Sequence, residues 1–150
     1  MYATITDARL FYSNNEVNIL INNKDGTTNE EALEKALKSA SSEIDIYLSR
    51  RYKTPLFKEY DVIPEIVKEW TVIVAVYKRS RELDKLTDEK RKRYEDIIAT
   101  LKDIAKGVAN LPDEGKIPVD PENPNIEEGK YSAFLEGSPR LFNRKTLRGL

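Results

Sequence analysis

Five of the seven prolines in this chain fall after Leu111, within LPDEGKIPVDPENPNIEEGKYSAFLEGSPR. A proline lacks the backbone N–H that a helix needs, and its ring clashes with the turn before it. No helix survives that spacing. Everything that can fold into regular structure therefore lies before Leu111. The sequence divides into a helical domain, residues 1–110, and an extended Pro-rich linker with a basic-aromatic C-terminal arm, residues 111–150.

The first part reads as helices throughout. ITDARLFYS predicts a short helix over 7–12, and NNEVNILI a second one capped by Asn14. NNKDGTT is a turn. TNEEALEKALKSASSEIDIYLSRRY is the most regular stretch. Its apolar stripe (Leu33, Ala36, Leu37, Ala40, Ile44, Tyr47, Leu48) recurs at helical spacing, and Thr28 with Glu31 matches a capping box. Carried through to Tyr52, this helix would be about 37 Å long. Pro55 then breaks it, because the residue before a proline avoids helical angles. Pro64 suits the first turn of another helix, over 64–83, with Ile66, Val67, Trp70, Ile73, Val74 and Tyr77 inward. A further helix begins after Thr87 and ends at Gly107. The expected fold is all-α: a small bundle of two short N-terminal helices and three longer ones, with a long extended C-terminal arm.

The chain contains no cysteine and no histidine. Disulfides and thiolate metal sites are excluded. So are the usual general base and the most reactive nucleophile. An enzyme is not expected, nor a cofactor or a metal. Charged residues make up 34% of the sequence, and no apolar run approaches the ~20 residues of a membrane span. The opening MYATITDARLF has no basic segment leading into an apolar one, so no signal peptide is read, and the expected site of synthesis is a cytoplasm.

Individual motifs are weak as chemistry. INNKDGTTNEEA places Asp25 and Asn23 near calcium-ligand positions, but the first and last ligands would be Ile21 and Ala32, so a turn and helix start is preferred. Glu43, Asp45, Asp61, Glu65, Asp84 and Asp88 are scattered and read as solvated. Lys38 and Ser42 lie one turn apart but lack an oxyanion hole. YKRSRELDKLTDEKRKRYED is a basic cluster with interleaved acids, read as a solvated hairpin end, with contact to nucleic acid or an acidic partner as the other reading. Trp70 is a core residue by its spacing.

The last residues differ. PRLFNRKTLRGL carries Arg140, Arg144, Lys145 and Arg148 and no acid, with Leu141, Phe142 and Leu147 between them. Phe134 and Leu135 precede it. Exposed apolar groups on a segment with no core carry a hydration cost. The arm can pack back on its own bundle, remain a disordered end, or dock on another chain as an added strand or extended arm. The third reading is favoured, with Phe134, Leu135, Arg140, Leu141, Phe142, Arg144, Lys145, Leu147 and Arg148 as partner-binding residues. A small nucleic-acid-binding module that uses this basic tail is the alternative.

ALKSASSEIDIYLSRRYKTPL resembles the Mu-like family of head-to-tail joining proteins of tailed bacteriophages. The resemblance rests on Ile44, Asp45, Tyr47, Leu48, Arg51, Tyr52, Pro55 and Leu56. The opening MYATITDARLFYSNNEV, the D-G turn before the long helix and the basic-aromatic end agree with it. The similarity spans about residues 1–108 and 138–150. It implies a structural virion protein at the head–tail junction, made in the bacterial host cytoplasm. Such adaptors form a ring, commonly twelvefold, under the portal protein of a DNA-filled head. They offer a surface to a neck, stopper or tail-completion protein, and DNA passes through the channel without specific binding. A free subunit would be a monomer, and the arm would reach the portal or a neighbouring copy. No membrane partner is implied.

Overall fold

The computed structural model describes residues 1–60 and 63–112. Among these, six helices and no strand are present: α1 (Ile5–Phe11), α2 (Asn14–Ile21), α3 (Glu30–Leu48), α4 (Leu56–Glu59), α5 (Glu65–Glu82) and α6 (Asp88–Lys106). The all-α expectation holds, with the single turn α4 added in the segment read as a break.

Local chemistry sets the boundaries. Thr4 caps α1 and forms a capping box with Asp7, two residues ahead of the expected start. Ser13, not Asn14, caps α2, and its hydroxyl accepts from the Glu16 N–H at 3.3 Å. At α3 the expected Thr28–Glu31 box does not form. Thr28 is drawn back across the loop, where it bridges Asn22 and donates its hydroxyl to the Asn22 side chain at 3.3 Å. Asn29 takes the cap and accepts from the Ala32 N–H at 3.1 Å. α3 also ends earlier than expected, at Leu48. The Leu48 carbonyl accepts from the N–H groups of both Arg51 and Tyr52 at 2.9 Å, so the chain tightens into a turn there. Thr87 caps α6 in agreement with the sequence, and Gly107 ends it with φ +83°, a left-handed angle that glycine adopts without a Cβ penalty.

α5 is the central helix and packs against α1, α2, α3 and α6. Its buried residues, Val67, Trp70, Thr71, Val72, Val74, Ala75 and Val76, cover nearly its whole circumference. α3 runs antiparallel to it, and α6 returns after a short turn, parallel to α3. Leu33, Leu37, Ile44 and Leu48 of α3 and Leu101 and Ile104 of α6 complete one continuous core with α5. Where the three helices meet, Tyr77 and Tyr94 stack with ring centres 4.0 Å apart. The Tyr94 hydroxyl donates to Glu43 at 2.7 Å, and Lys78 pairs with the same carboxylate at 2.7 Å. Burial, with Glu43 second, pushes the Tyr94 phenol well above its ordinary pKa, so it stays a donor. Glu43, read as solvated, is thus a link between helices.

Arg79 departs further from its expected role. It belongs to the basic cluster read as a solvated hairpin end, yet it is only 2% exposed. Its Nε donates to the Leu20 carbonyl at 2.8 Å and its Nη2 to the Asn23 side chain at 3.0 Å, while Nη1 pairs with Glu82 at 2.8 Å. It holds the end of α2 and the 22–28 turn against α5. Arg79→Leu keeps much of the volume but orphans these acceptors. Unpaired buried polar groups are costly, so the variant should lose about 2–3 kcal/mol of stability. Urea unfolding followed by circular dichroism measures this, and a loss near zero would remove Arg79 from the structural core.

Candidate functional site

The residues that carry the family resemblance lie at one end of the bundle, on the last turns of α3 and the chain just beyond it. Ile44 and Leu48 are fully buried and Tyr52 is 2% exposed, while Asp45, Tyr47, Arg51 and Pro55 are partly buried. The Thr54–Pro55 peptide is cis. Their polar groups reach in two directions.

Towards the N-terminal segment, Tyr2 is the keystone. Its N–H donates to Ser41 Oγ at 3.0 Å. Its hydroxyl donates to Asp45 Oδ1 and accepts from the Leu56 N–H at 2.8 Å, and its ring meets Phe57 edge-on. Burial first, and the Asp45 acceptor second, raise the Tyr2 phenol pKa, so it remains protonated. Burial also pushes the Asp45 carboxyl above its ordinary 3.8, outweighing the pull of the Tyr2 hydrogen bond and of the nearby chain-terminal ammonium.

In the other direction the motif holds the chain that leaves α6. Arg51 Nη1 donates to the Ala109 carbonyl at 2.9 Å and to Asn110 Oδ1 at 2.8 Å, and more weakly to the Ile104 carbonyl at 3.4 Å. The guanidinium lies over Gly107, where an added Cβ would sit 3.8 Å from its central carbon. Tyr52 Oη accepts from the Leu111 N–H at 2.9 Å, and Leu111 is itself 3% exposed. The last described stretch is therefore folded back onto the end of α3 instead of running on along α6.

These groups hold backbone; each is engaged in a structural hydrogen bond. Sequence reading finds the motif but not its two targets. Tyr2 has a signal, an aromatic followed by a small residue near the chain start. Leu111 has none, because an apolar residue beside Pro112 reads as the beginning of a linker. The arm residues read as partner-binding, from Phe134 to Arg148, lie outside the described residues. Among the described residues no helix is long and apolar enough to cross a membrane.

The sequence profile described as "Bacteriophage Mu, Gp36" matches residues 2–127, from Tyr2 through both clamps and past Leu111. The chain belongs to the bacteriophage Mu Gp36 family. Among its Mu relatives, the Mu-like prophage FluMu protein gp36 of Haemophilus influenzae is 31% identical over 120 residues, covering 80% of this chain and 76% of that protein. Gene product J of Escherichia phage Mu is 27% identical over 146 residues, covering 96% and 95%. The match to the phage Mu protein therefore takes in most of residues 113–150, whereas the Gp36 profile stops before the basic-aromatic end.

This Gp36-family site can be tested in two ways. Tyr52→Phe leaves the buried Leu111 N–H without an acceptor, which should cost about 1–3 kcal/mol. Thermal melts measure the loss, and hydrogen exchange should show the Leu111 amide released while the α5 amides stay protected. Asp45 gives a pH test. Its folded pKa is raised, so its contribution is full below 3.8 and fades as pH rises through the folded value. The parent protein should gain stability relative to Asp45→Asn as pH falls from neutral to below 3.8. Urea midpoints at stepped pH would refute this if the parent instead lost ground on acidification.

Proposed function

We propose that this protein is a structural adaptor of the virion, which joins the DNA-filled head to the neck or tail of a Mu-like phage. In this reading it assembles as a ring under the portal protein and presents a surface to a neck, stopper or tail-completion protein. The free subunit is a monomer made in the host cytoplasm. It acts by protein contact and not by catalysis, and DNA passes its channel without specific binding.

The observation that carries the reading is the anchored root of the arm. Arg51 and Tyr52 hold the chain at Ala109–Leu111, so residues 113–150 start from a fixed point on a rigid bundle. The sequence of that arm alternates cations with large apolar groups, which suits an extended segment docking into pockets on another chain. Ordering such an arm only on contact suits stepwise, switchable assembly. Family membership supports the phage setting, and the head-to-tail resemblance in the sequence supports the junction.

The nucleic-acid alternative draws less support from the bundle. Its second foothold is the basic cluster around residues 78–93. There Lys78 and Arg79 are engaged between helices, and Arg91 and Arg93 face Asp88 and Glu89 of their own helix.

Particles made without this gene and then complemented provide the test. Negative-stain microscopy should show separate tails and tailless heads in its absence and joined particles on complementation. A protein ending at Glu136 should fold with the parent's circular-dichroism spectrum and fail to join them. Normal tailed particles without the gene would discard the adaptor reading.

A further inference from the structure

The two ends of the bundle treat their charges differently. At the end where α5 turns into α6, cations are largely neutralised within the bundle: Lys24 pairs with Asp84, Arg79 with Glu82, and Arg93 with Glu89 at 2.7 Å. At the opposite end, where the chain passes Leu111, the balance is positive. Residues 49–60 and 101–112 hold Arg50, Arg51, Lys53, Lys58, Lys102 and Lys106 against only Glu59 and Asp103. Apart from Arg51, which is occupied by the backbone of α6 and its exit, these cations are exposed and form no ion pair among the described residues.

Helix dipoles explain only part of this. A cation in a last turn is favoured by the partial negative charge there, which accounts for Lys106. The last turn of α3 has no basic residue, and Arg50, Lys53 and Lys58 all lie beyond it. Phe57 and Val108 stand at the same end, 42% and 65% exposed. Aromatic groups and arginine are favoured in protein interfaces, with polar groups at the rim.

We propose that this end of the bundle, centred on Arg50, Lys53, Lys58 and Phe57, is a second docking surface that fits an acidic protein surface on the particle to which the arm attaches. The inference rests on the adaptor reading. Arm and end face leave the bundle on the same side, so the first contact makes the second intramolecular, and a modest surface gains from high effective concentration. The lysines steer the encounter and set its orientation, and Phe57 supplies apolar contact.

The test uses the full chain and purified tailless heads made without this gene. Binding of labelled protein to these heads is measured over a salt series for the parent, for Arg50→Glu/Lys53→Glu/Lys58→Glu and for the corresponding triple glutamine variant. Like charges set opposite one another are strongly unfavourable, so the glutamate variant should bind about tenfold or more weakly and with a flatter salt dependence. The glutamine variant should fall between it and the parent, and both should melt as the parent does. If both variants bind like the parent while the protein ending at Glu136 does not, the end-face inference fails and the adaptor reading stands. If the parent itself does not bind heads, both fail. Salt-dependent binding of short duplex DNA that the glutamate variant loses would overturn the protein partner in favour of nucleic acid.

Discussion

A helix that stops at a left-handed glycine can send its chain in any direction, and the residues beyond the glycine need their course set from elsewhere. In this protein a different helix sets it. Arg51 gathers the Ala109 carbonyl and the Asn110 side chain, and Tyr52 receives the Leu111 N–H. Both residues sit just past α3, where its early end turns their side chains towards α6. Had α3 run on to Tyr52 in line with its stripe, these two side chains would have kept to the helical repeat. The shortened helix, the bent-back exit and the burial of Leu111 therefore belong together.

The same dozen residues also receive the start of the chain. Asp45 and the Leu56 N–H meet at the Tyr2 hydroxyl, so the motif is a junction with two incoming strands of backbone. This explains why so many of its side chains carry polar atoms while lying mostly out of water. Buried polar groups are tolerated where partners are waiting, and here the partners are backbone amides and carbonyls that no helix or sheet would otherwise satisfy.

The helical plan is legible in the sequence because it obeys local rules. Stripe periodicity places α3, α5 and α6, Pro64 sets the start of α5, and Thr87 and Gly107 set the ends of α6. Reading fails where a side chain has a distant alternative. Thr28 looks like a cap but bonds across the loop to Asn22, leaving Asn29 the task. Arg79 looks solvated, being one of many cations in a mixed run. Only the arrival of Leu20 and Asn23 beside α5 makes its position interior, and no spacing in the sequence announces that. Glu43 misleads for the same reason, since its partners Lys78 and Tyr94 are on two other helices. The site is half legible. The family motif can be found, while its purpose as a junction depends on contacts 43 to 59 residues apart along the chain.

The closeness of those two anchor points has a mechanical consequence. Tyr2 binds the Leu56 N–H and Leu111 binds the Tyr52 side chain, so the entry and exit of the helical unit sit four residues apart on one connection. A pull on the chain beyond Leu111 enters the bundle at Arg51 and Tyr52 and passes into the end of α3. It does not peel α6 from its last turn inward. Tension is met by several polar contacts loaded at once, next to the point where the N-terminal segment is also made fast. The long helices α5 and α6 lie outside that load path, and the core they share with α3 can stay closed while the end of the bundle carries the strain.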